Sequence, residues 1–185
     1  MITLDDLKKI CPQSSAARMA MFLDALNGAM DEFRISDNVE RETAFIAQLA
    51  HESGGFYYVR ELASGAAYDK RADLGNTKPE AICISAWHSS TPGPWWRGHG
   101  LIQITGFDNY VACGDALGLD LLNQPELLEQ PEYACRSAAW FWSVNGLNEL
   151  ADQGDFLGVT KRINGGTNGY PERLAYFERA KDALA

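Results

Sequence analysis

The stretch DNVERETAFIAQLAHESGGF, Asp37 to Phe56, decides how this chain is read. Val39, Phe45, Ile46, Leu49 and Ala50 recur at helical spacing, with Asp37 or Ser36 in place to cap the helix start. Gly54 and Gly55 then break the helix. Phe45, Leu49 and Glu52 fall at i, i+4 and i+7, so Glu52 continues the apolar stripe instead of the solvent face. It also lies in the last turn, where the helix dipole is negative. Burial and the helix end both disfavour a charged carboxylate, so both predict a raised pKa, as a general acid needs. The competing reading is a solvated Glu in a frayed helix end, because the dipole contributes only about 0.3–1 kcal/mol.

Outward from this helix the pattern is mostly helical. Thr3 caps LDDLKKI and Pro12 stops it. SSAARMAMFLDALNGAMDEF carries Ala17, Met21, Leu23, Ala25, Leu26, Met30 and Phe33 behind a Ser cap. From Gly54 to Gly100 the periodicity disappears, and the segment holds Tyr57, Tyr58, Tyr68, Trp87, Trp95 and Trp96. An irregular run of that length inside a compact domain points to a functional surface. GLIQITG reads as a strand or hairpin edge. Helices resume at FDNYVACGDALG, after Pro125 and Pro131, and at LNELADQ, DFLGVTKRI and PERLAYFERAKDAL. The expected class is mainly α with a small β element, in one catalytic domain over residues 1–185 with no separate wall-binding domain.

Composition narrows the function. The chain is 46% hydrophobic and 22% charged, ordinary for a globular protein. Its formal net charge of -9 argues against a nucleic-acid partner, which needs a basic face. Four dispersed cysteines, Cys11, Cys83, Cys113 and Cys135, form no CxxC and are expected to be reduced and buried. Three histidines without an HExxH leave no zinc motif, and acid–base chemistry by carboxylates needs no metal or organic cofactor, so none is expected. MITLDDLKKICPQ has neither a basic leader nor an apolar core of a signal peptide, and MAMFLDALNGAM is too short to span a bilayer. These features predict synthesis in the cytoplasm, no stable membrane insertion, and a monomer.

Glycoside hydrolysis by two acids needs a second carboxylate. Glu61, Asp69 and Asp73 all lie in the aromatic-rich irregular segment, where aromatic rings can stack on sugar faces. Trp95 and Trp96 suit a platform or a core equally well.

Four segments together carry a resemblance. AQLAHESGGF, RADLGNT, RGHGLIQITGFDNY and RINGGTNG stand in the order and approximate spacing of glycoside hydrolase family 19, and the chain resembles its phage endolysin branch more than the plant chitinases. The resemblance implies a two-lobed, lysozyme-like helical fold with a central cleft. It also implies hydrolysis of a β-1,4-linked N-acetylhexosamine polymer, peptidoglycan or chitin. By motif, Glu52 becomes the general acid, Glu61 activates or orients the attacking water, and Thr105 helps hold that water. Gln103, Asn109 and Asn164 meet the sugar N-acetyl and hydroxyl groups, as side chains that both donate and accept can do. His51, Tyr68 and Trp96 complete the candidate substrate contacts. The family inverts, so its carboxylates stand about 6.5–9.5 Å apart to admit a water.

Two positions depart from the family pattern. Gly98-His99-Gly100 replaces Gly-Arg-Gly, which makes a permanently charged contact titratable and predicts pH dependence below neutrality. Tyr68-Asp69-Lys70-Arg71 replaces Tyr-Glu-Gly-Arg. The leading expectation is a peptidoglycan-cleaving endolysin released to the wall by a holin. A chitinase is the alternative among enzymes, a lytic transglycosylase would act with one Glu, and an inactive sugar-binding domain is the alternative of another class.

Overall fold

A computed structural model describes residues 1–185. The chain is helical almost throughout, with α1 (Leu4–Ile10), α2 (Ala16–Glu32), α3 (Val39–Glu52), α4 (Pro79–Trp87), α5 (Pro92–Trp95), α6 (Phe107–Leu117), α7 (Pro131–Val144), α8 (Leu147–Asp152), α9 (Phe156–Asn164) and α10 (Tyr170–Leu184). It forms two compact units, one of residues 1–57 and 138–185, the other of residues 58–137. No helix is long and apolar enough to cross a membrane.

The first unit is organised on α3. Every residue from Thr43 to Ala50 is buried, and α10 packs along it with Arg173, Tyr176 and Ala180 inward. Phe45 meets Trp142 edge-on, ring centroids 5.2 Å apart. The Trp142 indole N–H donates to Asn148 Oδ1 at 2.8 Å, which satisfies its polar edge inside the core. Asn38 caps α3 by accepting from the Arg41 N–H, a correction to the Asp37 or Ser36 expected. One carboxamide at position 38 both caps the helix and donates to Asp152. Val39 in turn stays 41% exposed although it fits the apolar periodicity. On α2 the buried residues are Met19, Phe22, Leu26, Ala29 and Met30, while Met21 is exposed. That helix carries apolar residues at so many positions that their spacing alone does not fix which face turns inward.

The second unit holds less regular structure and more side-chain stapling. Buried Asn76 donates to Tyr68 O at 2.8 Å and accepts from the Phe107 N–H at 2.9 Å, so one carboxamide joins a loop to the start of α6. The stretch expected to be wholly irregular contains α4, α5 and two single 3-10 turns. Pro79 and Pro92 open the two helices. Periodicity missed α4 because Ala81 and Ile84 are buried while Ile82 and Trp87 face outward, leaving no one-sided stripe. GLIQITG forms no continuous strand. Only isolated antiparallel bridges occur, Arg60 with His99 and His99 with Ile104. All four cysteines are free, and Cys83 on α4 is exposed, against the expectation of burial.

Candidate active site

In the first unit the site grows from the end of α3. Ser53 caps it, its hydroxyl donating to Leu49 O at 2.6 Å and accepting from the Phe56 N–H at 2.8 Å. Gly54, Gly55 and Phe56 follow with φ of 60, 71 and 68°, three consecutive left-handed residues. A Cβ on Gly55 would lie 1.8 Å from Ser14 Oγ, so glycine is required there by both conformation and space. Phe56 holds a conformation that costs a non-glycine residue about 1–2 kcal/mol. Arg18 secures it, Nε donating to Phe56 O at 2.9 Å and Nη2 to Tyr57 O at 3.1 Å. Its guanidinium lies 5.0 Å from the centre of the Phe22 ring, which packs against Phe56.

The Glu52 carboxylate is 22% exposed and lies against Arg173, Nη2 to Oε1 2.5 Å, where the guanidinium is 1% exposed. A buried cation therefore faces the acid, a neighbour that the apolar stripe of α3 does not announce. The same guanidinium donates to Gln48 Oε1 at 2.5 Å and to Asn168 O at 3.2 Å. Gln48 passes the chain on to Thr160 Oγ1 at 2.8 Å, which donates to Phe156 O. Glu52 is therefore anchored through two buried polar groups to α9 and α10.

His51 points its Nδ1 at Glu172 Oε2, 3.1 Å away, and its ring is so close to Gly169 that a Cβ there would lie 2.5 Å from Cε1. Burial, then the Arg173 charge, lower its pKa, while Glu172 and Glu52 oppose them. The ring is engaged by the α10 end of this unit. Asn164 is the last residue of α9 and is exposed, followed by left-handed Gly165.

In the second unit Glu61 is half-buried and doubly held. Tyr68 Oη donates to Oε1 at 2.7 Å and the Gly98 N–H to Oε2 at 3.1 Å, while Glu61 N–H donates back to Gly98 O. The bond to Glu61 is the main reason the Tyr68 pKa rises. The other two candidate carboxylates are occupied differently. Asp69 accepts from Thr91 Oγ1 and the Gly93 N–H, which fixes the turn opening α5. Asp73 accepts two bonds from Arg71, at 2.7 and 2.6 Å, and that bonding lowers its pKa.

Gly98 also lies against Gln103, whose Oε1 would be 2.7 Å from a Cβ at that glycine. Gln103 sits at φ 58°, its side-chain amide donating to Gly100 O at 2.9 Å. Thr105 Oγ1 donates to Gln103 O, and exposed Asn109 donates to Thr105 O. Glu61 and Gln103 thus meet at Gly98, the first by hydrogen bonds and the second by close packing, and Thr105 and Asn109 continue from Gln103 through backbone carbonyls. Tyr68 joins them as a partner of Glu61. Trp96 does not: it is fully buried and packs edge-on against Phe107 at 4.9 Å, so its expected place against substrate is corrected to the core. No three His, Cys, Asp or Glu side chains converge as a metal cage.

Arg173 and Arg18 were not singled out from sequence. Arg173 carried a signal, since Arg173, Tyr176 and Ala180 share the buried stripe of α10, and an Arg there needs an anionic partner. Arg18 carried none, because its acceptors are the backbone carbonyls of Phe56 and Tyr57, which no residue type announces.

The family described as Chitinase class I, glycoside hydrolase family 19, matches residues 8–152. An endochitinase of Arabidopsis thaliana is 34% identical over 157 residues, covering 84% of this chain and 50% of that protein. A glycosyl hydrolase family 19 domain-containing protein of Haemophilus influenzae is 35% identical over 161 residues, covering 76% of this chain and 78% of its own length. The crystal structure of chitinase C from Streptomyces griseus superposes with a TM-score of 0.76 at 26% identity, over 99% of this chain and 76% of that one. The chain spans about half the length of the plant relatives it matches. The mainly helical, lysozyme-like fold that the resemblance implied is the fold found.

Proposed function

Because the chain belongs to glycoside hydrolase family 19, we propose that it hydrolyses β-1,4-linked N-acetylhexosamine chains, with bacterial peptidoglycan as its polymer. Glu52 gives its proton to the leaving glycosidic oxygen. Glu61 takes a proton from the attacking water, whose oxygen bonds to the anomeric carbon from the opposite face, so configuration inverts. Arg173 orients the Glu52 carboxylate. Thr105 helps hold the water, and Gln103, Asn109 and Asn164 meet acetamido and hydroxyl groups. The chemistry moves only protons that these side chains and water supply.

The observation that carries this reading is how the carboxylates are held. Glu52 keeps exposure while a buried guanidinium orients it, and Glu61 is held by a hydroxyl and an N–H. Asp69 and Asp73 are committed to a backbone turn and to Arg71. Peptidoglycan is favoured by the resemblance of the AQLAHESGGF, RADLGNT, RGHGLIQITGFDNY and RINGGTNG segments, taken together, to the endolysin branch. In this reading the protein is made in the cytoplasm and acts as a monomer at the wall after release by a holin. Chitin is the second reading, supported by relatives that are endochitinases. Incubation with purified peptidoglycan and with chitin oligomers separates the two. Wall fragments from the first support the proposal, and soluble chitin fragments with an intact wall overturn its choice of polymer.

A further inference from the structure

Next to Glu61 lies a chain of side chains, buried at His99 and Tyr110 and partly exposed at Glu129, that the hydrolytic steps do not use. His99 is 5% exposed. Its Nδ1 is 2.6 Å from Tyr110 Oη, and that hydroxyl donates to Arg97 O at 2.7 Å. Its Nε2 lies 3.3 Å from Glu129 Oε1, which Arg60 Nη1 also approaches, at 3.6 Å.

Counting protons exposes a conflict. Burial lifts the Tyr110 pKa well above its ordinary value, so the hydroxyl keeps its one proton. A carbonyl only accepts, so that proton goes to Arg97 O. His99 Nδ1 must then be protonated to donate to Tyr110 Oη. In a neutral ring this leaves a bare Nε2 facing the Glu129 carboxylate, lone pair against lone pair. Turning the hydroxyl toward Nδ1 repairs that contact but leaves Tyr110 Oη against Arg97 O with no proton between them. All three contacts are satisfied only when His99 and Glu129 together hold one proton more than a neutral imidazole and a carboxylate.

We propose that His99 and Glu129 form a proton-operated latch that positions Glu61, closed when the pair has taken up this proton and open when it has lost it. The path is short, because His99 adjoins Gly98, whose N–H and C=O both bond Glu61. His99 N–H and C=O also pair with Ile104, which fixes the backbone between Glu61 and Gln103. The charged and titratable groups around the ring are Glu129, Arg60, Arg97 and Tyr110, with Cys113 and Glu61 acting on Tyr110. Burial first, then Arg97 and Arg60, push the His99 pKa down to about 4, so the proton leaves as pH rises and the latch closes on acidification. The role of Glu61 rests on the function proposed above, whereas the proton count does not.

The test is nitrogen NMR of the His99 ring and carbonyl-carbon NMR of the Glu129 carboxyl in the wild-type protein, titrated from well below the His99 value of about 4 up to about pH 8, beside the pH profile of kcat/KM. The expected result is a ring protonated at Nδ1 throughout and a shared proton, read at Nε2 or at the carboxyl, that appears on acidification. In Glu129→Gln the carboxamide donates to Nε2 without an added proton. The titration disappears there, and the fall of kcat/KM that follows loss of the shared proton as pH rises disappears with it, about a tenfold change per pH unit along that limb. A wild-type pair in which neither nucleus titrates overturns the latch. So does a Glu129→Gln profile that superposes on the wild type. Full turnover by Glu61→Gln instead overturns the assigned base and leaves the NMR titration standing or falling by itself.

Discussion

Arg173 Nη2 stands 2.5 Å from Glu52 Oε1, a guanidinium with 1% exposure against a carboxylate with 22%. A point charge cannot replace this fork, which reaches Glu52, Gln48 Oε1 and Asn168 O with three nitrogens. Arg173→Lys is expected to lose most turnover and Arg173→Met to lose it with stability as well. The stability loss of the second is about 3 kcal/mol, the lower end of the range for breaking a buried pair, because Glu52 is partly exposed. Urea denaturation and initial rates of both variants check this, and a fully active Arg173→Met excludes the guanidinium from positioning the acid.

The turn after Glu52 is expected to be intolerant of any side chain at Gly55. Its φ of 71° and the 1.8 Å approach of Ser14 Oγ make Gly55→Ala unfavourable by conformation and by collision. The expected destabilisation is at least about 2 kcal/mol. Combining it with Ser14→Ala removes the Oγ collision and leaves the backbone cost and a 3.1 Å approach to the Cβ of residue 14, so the double variant should recover part of the loss in a thermal melt. Equal melting temperatures for Gly55→Ala and the wild type contradict the left-handed turn.

Much of this was legible in the sequence, for identifiable reasons. Helix α3 followed from spacing, which set Glu52 on its apolar stripe but left a solvated helix end as the equal alternative, and Thr3, Ser15, Pro131 and Gly118 mark helix ends by their own backbone chemistry. Helix α4 was not legible, because it buries Ala81 and Ile84 while exposing Ile82 and Trp87. The surroundings of Glu52 were legible only in part. Spacing put it beside Phe45 and Leu49, but nothing local reports that Arg173 arrives from α10. Trp96 illustrates the limit in the other direction, since an aromatic residue in a polar, glycine-rich segment fits a sugar platform and a core equally well until packing decides.

The three candidate second carboxylates are expected to separate on mutation. Glu61→Gln should lose most turnover with little change in stability, because the carboxamide oxygen still accepts from the Gly98 N–H while its NH2 donates to Tyr68 Oη, whose hydroxyl can accept. Asp73→Asn should leave rate and fold nearly unchanged, since its exposed pair with Arg71 contributes little. Asp69→Ala should destabilise the turn that opens α5, leaving the Thr91 hydroxyl and the Gly93 N–H without their acceptor. Rates and melting temperatures of the three variants check the assignment, and a larger rate loss in Asp73→Asn than in Glu61→Gln would transfer the base to Asp73.

One thiol should react quickly and three only after unfolding. Cys83 is exposed, whereas Cys11, Cys113 and Cys135 are buried. Burial pushes the Cys11 and Cys113 thiols up to about 12, so neither offers a thiolate at neutral pH. A chromogenic disulfide reagent should count one fast equivalent in the native protein and four in denaturant, and Cys83→Ser should abolish the fast phase.

Acid should weaken the first unit through Asp152. Hydrogen bonds from Arg41, then Asn38, lower its pKa from its ordinary value near 3.8 to about 2. The folded value lies below the unfolded one, so the unfolded chain binds the proton first as pH falls. The stabilisation is present above about pH 3.8 and is lost toward about pH 2. Asp152→Asn should flatten that part of the stability profile and leave its neutral limb in shape, as urea midpoints at several acidic pH values will show.

The most direct test of the proposed chemistry is mass spectrometry of the fragments that wild type and Glu52→Gln release from purified peptidoglycan in oxygen-18 water. The expected result is one heavy oxygen at every new reducing end with the wild type and almost no fragments with Glu52→Gln. Anhydro-sugar ends without heavy oxygen, or undiminished release by Glu52→Gln, would contradict hydrolysis by this acid.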